Sequence, residues 1–157
     1  MRMIGLPIDA EMPRIVENIR QFRAAVVIAE PGAGKTTRVP PAILRASLLS
    51  AENSNLVMLQ PRRMATRLAA RRIADEQGWT LGNEVGYQVR FERNMSAQTR
   101  LRIVTEGILS RQLLEEPYLP GIGCVVLDEF HERSLNGDLA IAMLRELRQT
   151  VRPDLLL

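Results

Sequence analysis

Ala29-Glu30-Pro31-Gly32-Ala33-Gly34-Lys35-Thr36-Thr37 contains the only lysine of the chain; the other 20 of its 21 basic residues are arginines. An ammonium on a flexible stem is a compact point charge that a tight loop can hold between phosphates, a task for which a planar guanidinium is poorly shaped. Gly32 and Gly34 let the backbone approach phosphate oxygens, and successive amide N–H groups, Ala33 included, form an anion nest. The helix expected to open at Lys35 adds the positive end of its dipole. Lys35 would reach the β- and γ-phosphates of a nucleotide and the Thr36 hydroxyl would ligate magnesium. The general pattern G-x-x-x-x-G-K-[ST] has glycine first, where this chain has Ala29.

Outward from this loop, four apolar runs rich in β-branched residues punctuate the sequence: Ala24–Ala29, Leu56–Gln60, Leu101–Thr105 and Cys124–Asp128. Continuous apolar runs of this length fit strands covered on both faces. Helical stretches separate them. One starts near Asp9 and Pro13 and runs to about Phe22. A second leaves the loop near Lys35, is disturbed by Pro40 and Pro41, and reaches about Ser50. The others span about Met64 to Gln77 (stopped by Gly78), Glu106 to Glu116 and Leu135 to Thr150. Alternating strands and helices predict an α/β fold, a parallel sheet with helices on both faces and right-handed crossovers. Ligands of such sheets bind beyond the carboxyl ends of the strands. Pro31–Lys35, Gln60–Arg63, Thr105–Gly107 and Asp128–His131 all follow strand ends, so they converge on one edge.

A phosphate loop demands an acid at the end of another buried strand. Val125-Val126-Leu127-Asp128-Glu129 supplies two: Asp128 to hold the metal and Glu129 to activate the attacking water. His131, the lone histidine, has no partner residues for metal ligation. Between Gln60 and Ile73 stand Arg62, Arg63, Arg67, Arg71 and Arg72 with no acid among them. Arg63, Arg67 and Arg71 share one helical face. Such a patch reads as unpaired and suited to a phosphate backbone. Aromatic residues make up only 4% of the chain, which gives no sign of base stacking.

The bulk numbers bound the rest. At 157 residues, 46% hydrophobic and net charge +3, the chain fits one soluble domain, and its charge alone argues for no particular partner. The single Cys124 excludes an intrachain disulfide and fits a core position in a reducing compartment. Met1 to Ile8 lacks the apolar core of a signal peptide, and Ala24–Ala29 is far too short to span a bilayer. These features lead to the expectation of a cytoplasmic protein with no membrane partner. Val151–Leu157 reads as a helix exit followed by the first residues of another buried strand, as in a fragment truncated at its C-terminus.

Together these residues resemble superfamily-two helicases of the DEAH-box type, most closely their bacterial HrpB branch. Residues 29–36 match the family's motif I, where alanine in first place is usual. Gln60-Pro61-Arg62-Arg63 resembles motif Ia, Gly86–Glu92 a hairpin signature, and Val104-Thr105-Glu106-Gly107-Ile108-Leu109 motif Ib. Asp128-Glu129-Phe130-His131-Glu132-Arg133-Ser134 stands where the name-giving box belongs, with Phe130 in place of alanine, as suits that branch. The resemblance implies the first RecA-like domain of a P-loop NTPase over residues 1–157, with ATP and Mg2+ as cofactors and single-stranded RNA or DNA held by its backbone. It implies that Gly32, Ala33, Gly34, Lys35, Thr36 and Thr37 bind the triphosphate, that Thr36 and Asp128 hold magnesium, and that Glu129 is the catalytic base. Arg72 would stack on the adenine, His131 would couple the site to a partner domain, and Arg62, Arg63, Arg90 and Thr105 would touch nucleic acid. The second RecA-like domain, with its arginine finger, has no counterpart in the sequence, so weak ATP–Mg binding, poor hydrolysis and no unwinding are expected of this chain alone. The competing readings are a P-loop kinase, which should carry an arginine-rich lid near its C-terminus, and a nucleic-acid-binding module without turnover.

Overall fold

The computed structural model describes residues 5–157. A 3-10 turn, Pro7–Glu11, leads into α1 (Met12–Phe22). Then follow α2 (Lys35–Arg45), β1 (Asn55–Gln60), α3 (Arg63–Gln77), β2 (Val85–Val89), β3 (Glu92–Asn94), β4 (Leu101–Thr105), α4 (Glu106–Glu115), β5 (Ile122–Leu127) and α5 (Leu135–Thr150). The sheet order is β3-β2-β4-β1-β5. All neighbours pair in parallel except β2 and β3, which form an antiparallel hairpin at one edge.

The central strand β1 shows how the layers form. Leu56 and Met58 face one side, with Ile15, Ile19, Ile43, Ile73 and Ile103. Val57 and Leu59 face the other, with Leu109, Leu113, Val125 and Leu144. Residues 56–59 of the strand are therefore all apolar because α1, α2 and α3 cover one face and α4 and α5 the other. Cys124 is buried in this core, and burial pushes its thiol up to about 12, so it stays protonated.

The helices at Met64–Gln77, Glu106–Glu116 and Leu135–Thr150 form where expected, within a residue at each end. Gly78 ends α3 in the left-handed region that glycine favours. Three expectations need correction. Ala24–Ala29 is extended but joins no ladder. Its flank is fixed by Ala25 N–H donating to Leu157 O (3.0 Å) and Leu157 N–H donating to Arg23 O (3.2 Å). Ala25 and Val27 pack on the core, whereas Val26 and Ile28 are 90% and 92% exposed. This apolar run is thus buried on one face only. The helix after the loop ends at Arg45 rather than Ser50, yet it continues through Pro40 and Pro41, both buried within it. The sheet also contains β2 and β3, absent from the list of apolar runs because Gly86, Gln88 and the polar Glu92–Asn94 break their apolar pattern. The C-terminal residues do behave as the start of a strand: Leu155 and Leu156 are buried, and Leu156 bridges Cys124 in parallel.

Candidate active site

The loop before α2 turns through two glycines with positive φ, Gly32 (80°) and Gly34 (101°). A Cβ at Gly34 would lie 2.7 Å from Leu6 Cδ1, a side-chain tip that can give way, so it is the backbone angle that demands glycine there. The turn is tied by Ala33 N–H to Glu30 O (3.2 Å), and Ile8 N–H donates to Ala33 O (3.1 Å). Lys35, the first residue of α2, donates its ammonium to Ala29 O (2.5 Å) and Glu30 O (3.1 Å). The single lysine is thus folded back over the loop it closes.

The next residue makes the decisive contact. Thr36 Oγ1 donates to Asp128 Oδ2 at 2.5 Å, across 92 residues of sequence. Asp128 follows the last residue of β5, and its backbone N–H donates to Leu59 O (3.1 Å), which seats it beside the end of β1. Gln60, the last residue of β1 and 3% exposed, donates its side-chain amide to the same Oδ2 at 2.5 Å. Glu129 N–H donates to Oδ1 (3.0 Å). The Asp128 carboxylate is oriented by three donors from three elements.

Glu129 itself lies in the left-handed region at φ 52°, a conformation costing about 1 kcal/mol for a residue with a Cβ. Its carboxylate Oε2 is 3.3 Å from His131 Nε2, on a 3-10 turn Phe130–Glu132. Ser134 then caps α5 by accepting from Gly137 N–H (2.9 Å), and its hydroxyl donates to Glu106 Oε2 (2.7 Å). The end of the acidic segment is thereby locked to the start of α4.

The arginine segment differs from the sequence reading. Arg62 forms a fork with Glu132, both distances 3.1 Å. Arg67 is paired with Glu92, which also accepts from the Tyr87 hydroxyl (2.6 Å). Arg72 is paired with Glu76 (2.9 Å). The expected unpaired patch is corrected: Glu92 and Glu132 arrive from elements distant in sequence, which a window of 14 residues cannot show. Arg63 donates to Arg90 O (3.2 Å), and Arg90 lies over the Phe91 ring, 4.7 Å from its centroid. Thr105 sits at the N-cap position of α4, in register with Gln60.

Thus Lys35, Thr36, Asp128, Glu129 and His131 gather at one edge, with Arg62 joined to it through Glu132. Arg63 and Arg90 meet on the α3–hairpin side, and Arg72 lies further along α3. Gln60, Glu106 and Ser134 are members of this edge whose contacts the sequence reading missed. Gln60 had a signal: an amide ending an apolar strand must find a partner when buried. An open cleft of about 570 Å3 between α1 and the outer side of Ala25–Ala33 includes none of Lys35, Thr36 or Asp128.

No family model matches the chain. It is 39% identical over 153 residues to the ATP-dependent RNA helicase HrpB of Escherichia coli, covering 98% of this chain and 18% of that protein. It is 37% identical over 152 residues to a probable ATP-dependent RNA helicase, a DHX35 homolog, of Caenorhabditis elegans (97% and 20%). A crystal structure of E. coli DExH-box NTPase HrpB superposes with a TM-score of 0.90 at 39% identity, covering 99% of this chain and 19% of that one. The chain spans about a fifth of the length of these relatives. By sequence and by fold alike, it is similar to one part of the DEAH/DExH helicases.

Proposed function

We propose that the chain is the ATP-binding, first RecA-like domain of a DEAH-box ATP-dependent helicase acting on RNA or DNA. The observation that carries this reading is the 2.5 Å contact between Thr36 and Asp128. A hydroxyl at a helix N-terminus and a carboxylate at a strand end offer two hard oxygen ligands side by side. Among the described residues no group of three or more His, Cys, Asp and Glu is placed to hold a metal ion. Magnesium needs no such cage, because it keeps several waters and takes further ligands from substrate phosphates. The donor set therefore fits: Thr36 and Asp128 would hold Mg2+, which when bound neutralises charge on the β- and γ-phosphate oxygens.

The chain's own residues supply the rest. Gly32, Ala33, Gly34 and Thr37 present backbone to the triphosphate, and the Lys35 ammonium moves from its loop carbonyls to the phosphate oxygens. Glu129 accepts a proton from the water that attacks the γ-phosphate, with His131 beside it. Arg72 packs against the adenine. Arg62, Arg63, Arg90 and Thr105 contact the nucleic-acid backbone, and strand separation belongs to the longer protein that contains a second RecA-like domain.

Titration with a fluorescent ATP analogue and magnesium tests the nucleotide site. Lys35→Ala should weaken binding roughly 100-fold, as expected when a buried charge-assisted contact is removed. Glu129→Gln should bind within about twofold of the parent while losing turnover. Indifference to Lys35→Ala would overturn the reading.

A further inference from the structure

Glu76 occupies a position that helix stability does not explain. It is the second-to-last residue of α3, where the negative end of the helix dipole disfavours a carboxylate. Its partner Arg72 precedes it by four residues, the weaker order for an ion pair on a helix. The carboxylate is also largely buried, its side chain 20% exposed. Burial would raise its pKa. The hydrogen bond from Arg72, the neighbouring Thr37 hydroxyl and the charge of Arg38 outweigh that and hold it below its ordinary value. An acid kept ionised in such a place answers to something outside its own helix.

The contacts show what. Glu76 Oε1 accepts from Arg72 Nε at 2.9 Å, and Oε2 lies 3.7 Å from a guanidinium nitrogen of Arg38. Arg38 is 8% exposed and its Nε is 3.5 Å from Asp9 Oδ1. Thr37 and Arg38 are the second and third residues after Lys35. A chain of charge thus runs from the N-terminal turn, through the phosphate-loop helix, to Arg72. A largely buried carboxylate between two guanidiniums from two helices, Arg38 buried and Arg72 two-thirds exposed, links the exposed one to the interior.

We propose that Glu76 is a positioning residue for the nucleoside end of the bound nucleotide. It clamps Arg72 to the helix that carries Lys35 and Thr36, so that base and phosphates are gripped in one geometry. This rests on the reading that Arg72 contacts the base. Glu76 should accordingly matter for ATP and not for inorganic tripolyphosphate, which has no base to place.

The test measures affinities of this chain for Mg–ATP and for Mg–tripolyphosphate, the latter by displacement of the fluorescent analogue. Glu76→Ala should weaken ATP roughly three- to tenfold, the effect of one ordinary hydrogen bond, because Glu76 acts on the base only through Arg72. Tripolyphosphate binding should stay within about twofold. Glu76→Gln keeps the side-chain volume and an acceptor for Arg72, so it should show a smaller loss in the same direction even where the alanine variant fails to fold. In an Arg72→Ala background, Glu76→Gln should cost nothing further, because the carboxylate acts through Arg72. Equal losses for both ligands, or no loss for ATP, would overturn the proposal. If Arg72→Ala leaves the ratio of the two affinities unchanged, the contact between Arg72 and the base fails, and this proposal with it. If Arg72→Ala lowers the ratio and both Glu76 variants leave it alone, only the role of Glu76 fails.

Discussion

The carboxylate of Asp128 and the guanidinium of Arg62 belong to the same edge of the sheet, yet they are held in opposite ways. Asp128 receives Thr36, Gln60 and its neighbour's amide, two of these at 2.5 Å, with Leu59 and Gln60 at the end of β1 buried. Arg62 reaches out from the start of α3 to Glu132, and its side chain is 72% exposed. The first arrangement is preorganised, because its partners have nowhere else to go. The second can be exchanged, because an exposed ion pair is worth about 0–1 kcal/mol and water or phosphate can replace either member. The proposed site for a small, highly charged ligand and the proposed surface for a long polymer thus differ in stiffness within one molecule.

The stiffest point should break most visibly. Gln60→Leu removes a buried donor from Asp128 while keeping the strand apolar. Leaving that carboxylate short of a partner should cost about 1–3 kcal/mol. For a chain of this size that is a fall in Tm of roughly 5 °C, read by thermal melting. The same variant should weaken binding of Mg–ATP, since the carboxylate proposed to hold the metal is no longer oriented. Unchanged Tm and unchanged affinity would show that Gln60 is a bystander and that the edge is less preorganised than its distances imply.

The comparison also explains what could be read from the sequence. The strands Leu56–Gln60 and Leu101–Thr105 were legible because both of their faces are covered, so Leu56–Leu59 in one and Leu101, Ile103 and Val104 in the other carry the signal. The convergence of Thr36 and Asp128 on one sheet edge was legible because the sequence places both just beyond expected strand ends, in short stretches of restricted residue type and spacing. Hidden in the sequence were contacts that depend on where distant elements land. Glu132 neutralises Arg62, and Glu92 neutralises Arg67, across gaps of 70 and 25 residues. Ala24–Ala29 misled for the converse reason: its composition states that it is apolar, whereas one-sided burial depends on its neighbours.

The exchangeable contact should respond to salt rather than to heat. Binding of a fluorescent oligouridine, followed from about 50 to about 200 mM salt, reports how many phosphates are neutralised. Arg63→Ala should reduce the slope by about one, and Arg62→Ala should do the same if Arg62 leaves Glu132 for phosphate. Glu132→Ala removes the competitor for Arg62 and should strengthen binding roughly twofold at low salt. Slopes unaltered by either arginine variant would remove both residues from the nucleic-acid surface and leave the ion pair as its only role.

The smallest effect belongs to the turn end of the hairpin, where Glu92 holds Arg67 and Tyr87 together. The hydrogen bond from Arg67, followed by that from Tyr87, keeps Glu92 below its ordinary value of 4.5. A carboxylate with a lowered folded pKa stabilises the fold above its unfolded value, and that contribution is lost as pH falls through the lowered one. Glu92→Gln should therefore lower Tm slightly at neutral pH, and the gap from the parent should close as the solution is acidified below about pH 4.5. The pair is exposed enough to be screened, so added salt should narrow the same gap at neutral pH. A gap that persists in acid would mean that Glu92 acts through shape rather than charge. The hairpin would then belong with the stiff Asp128 edge instead of the exchangeable arginine surface.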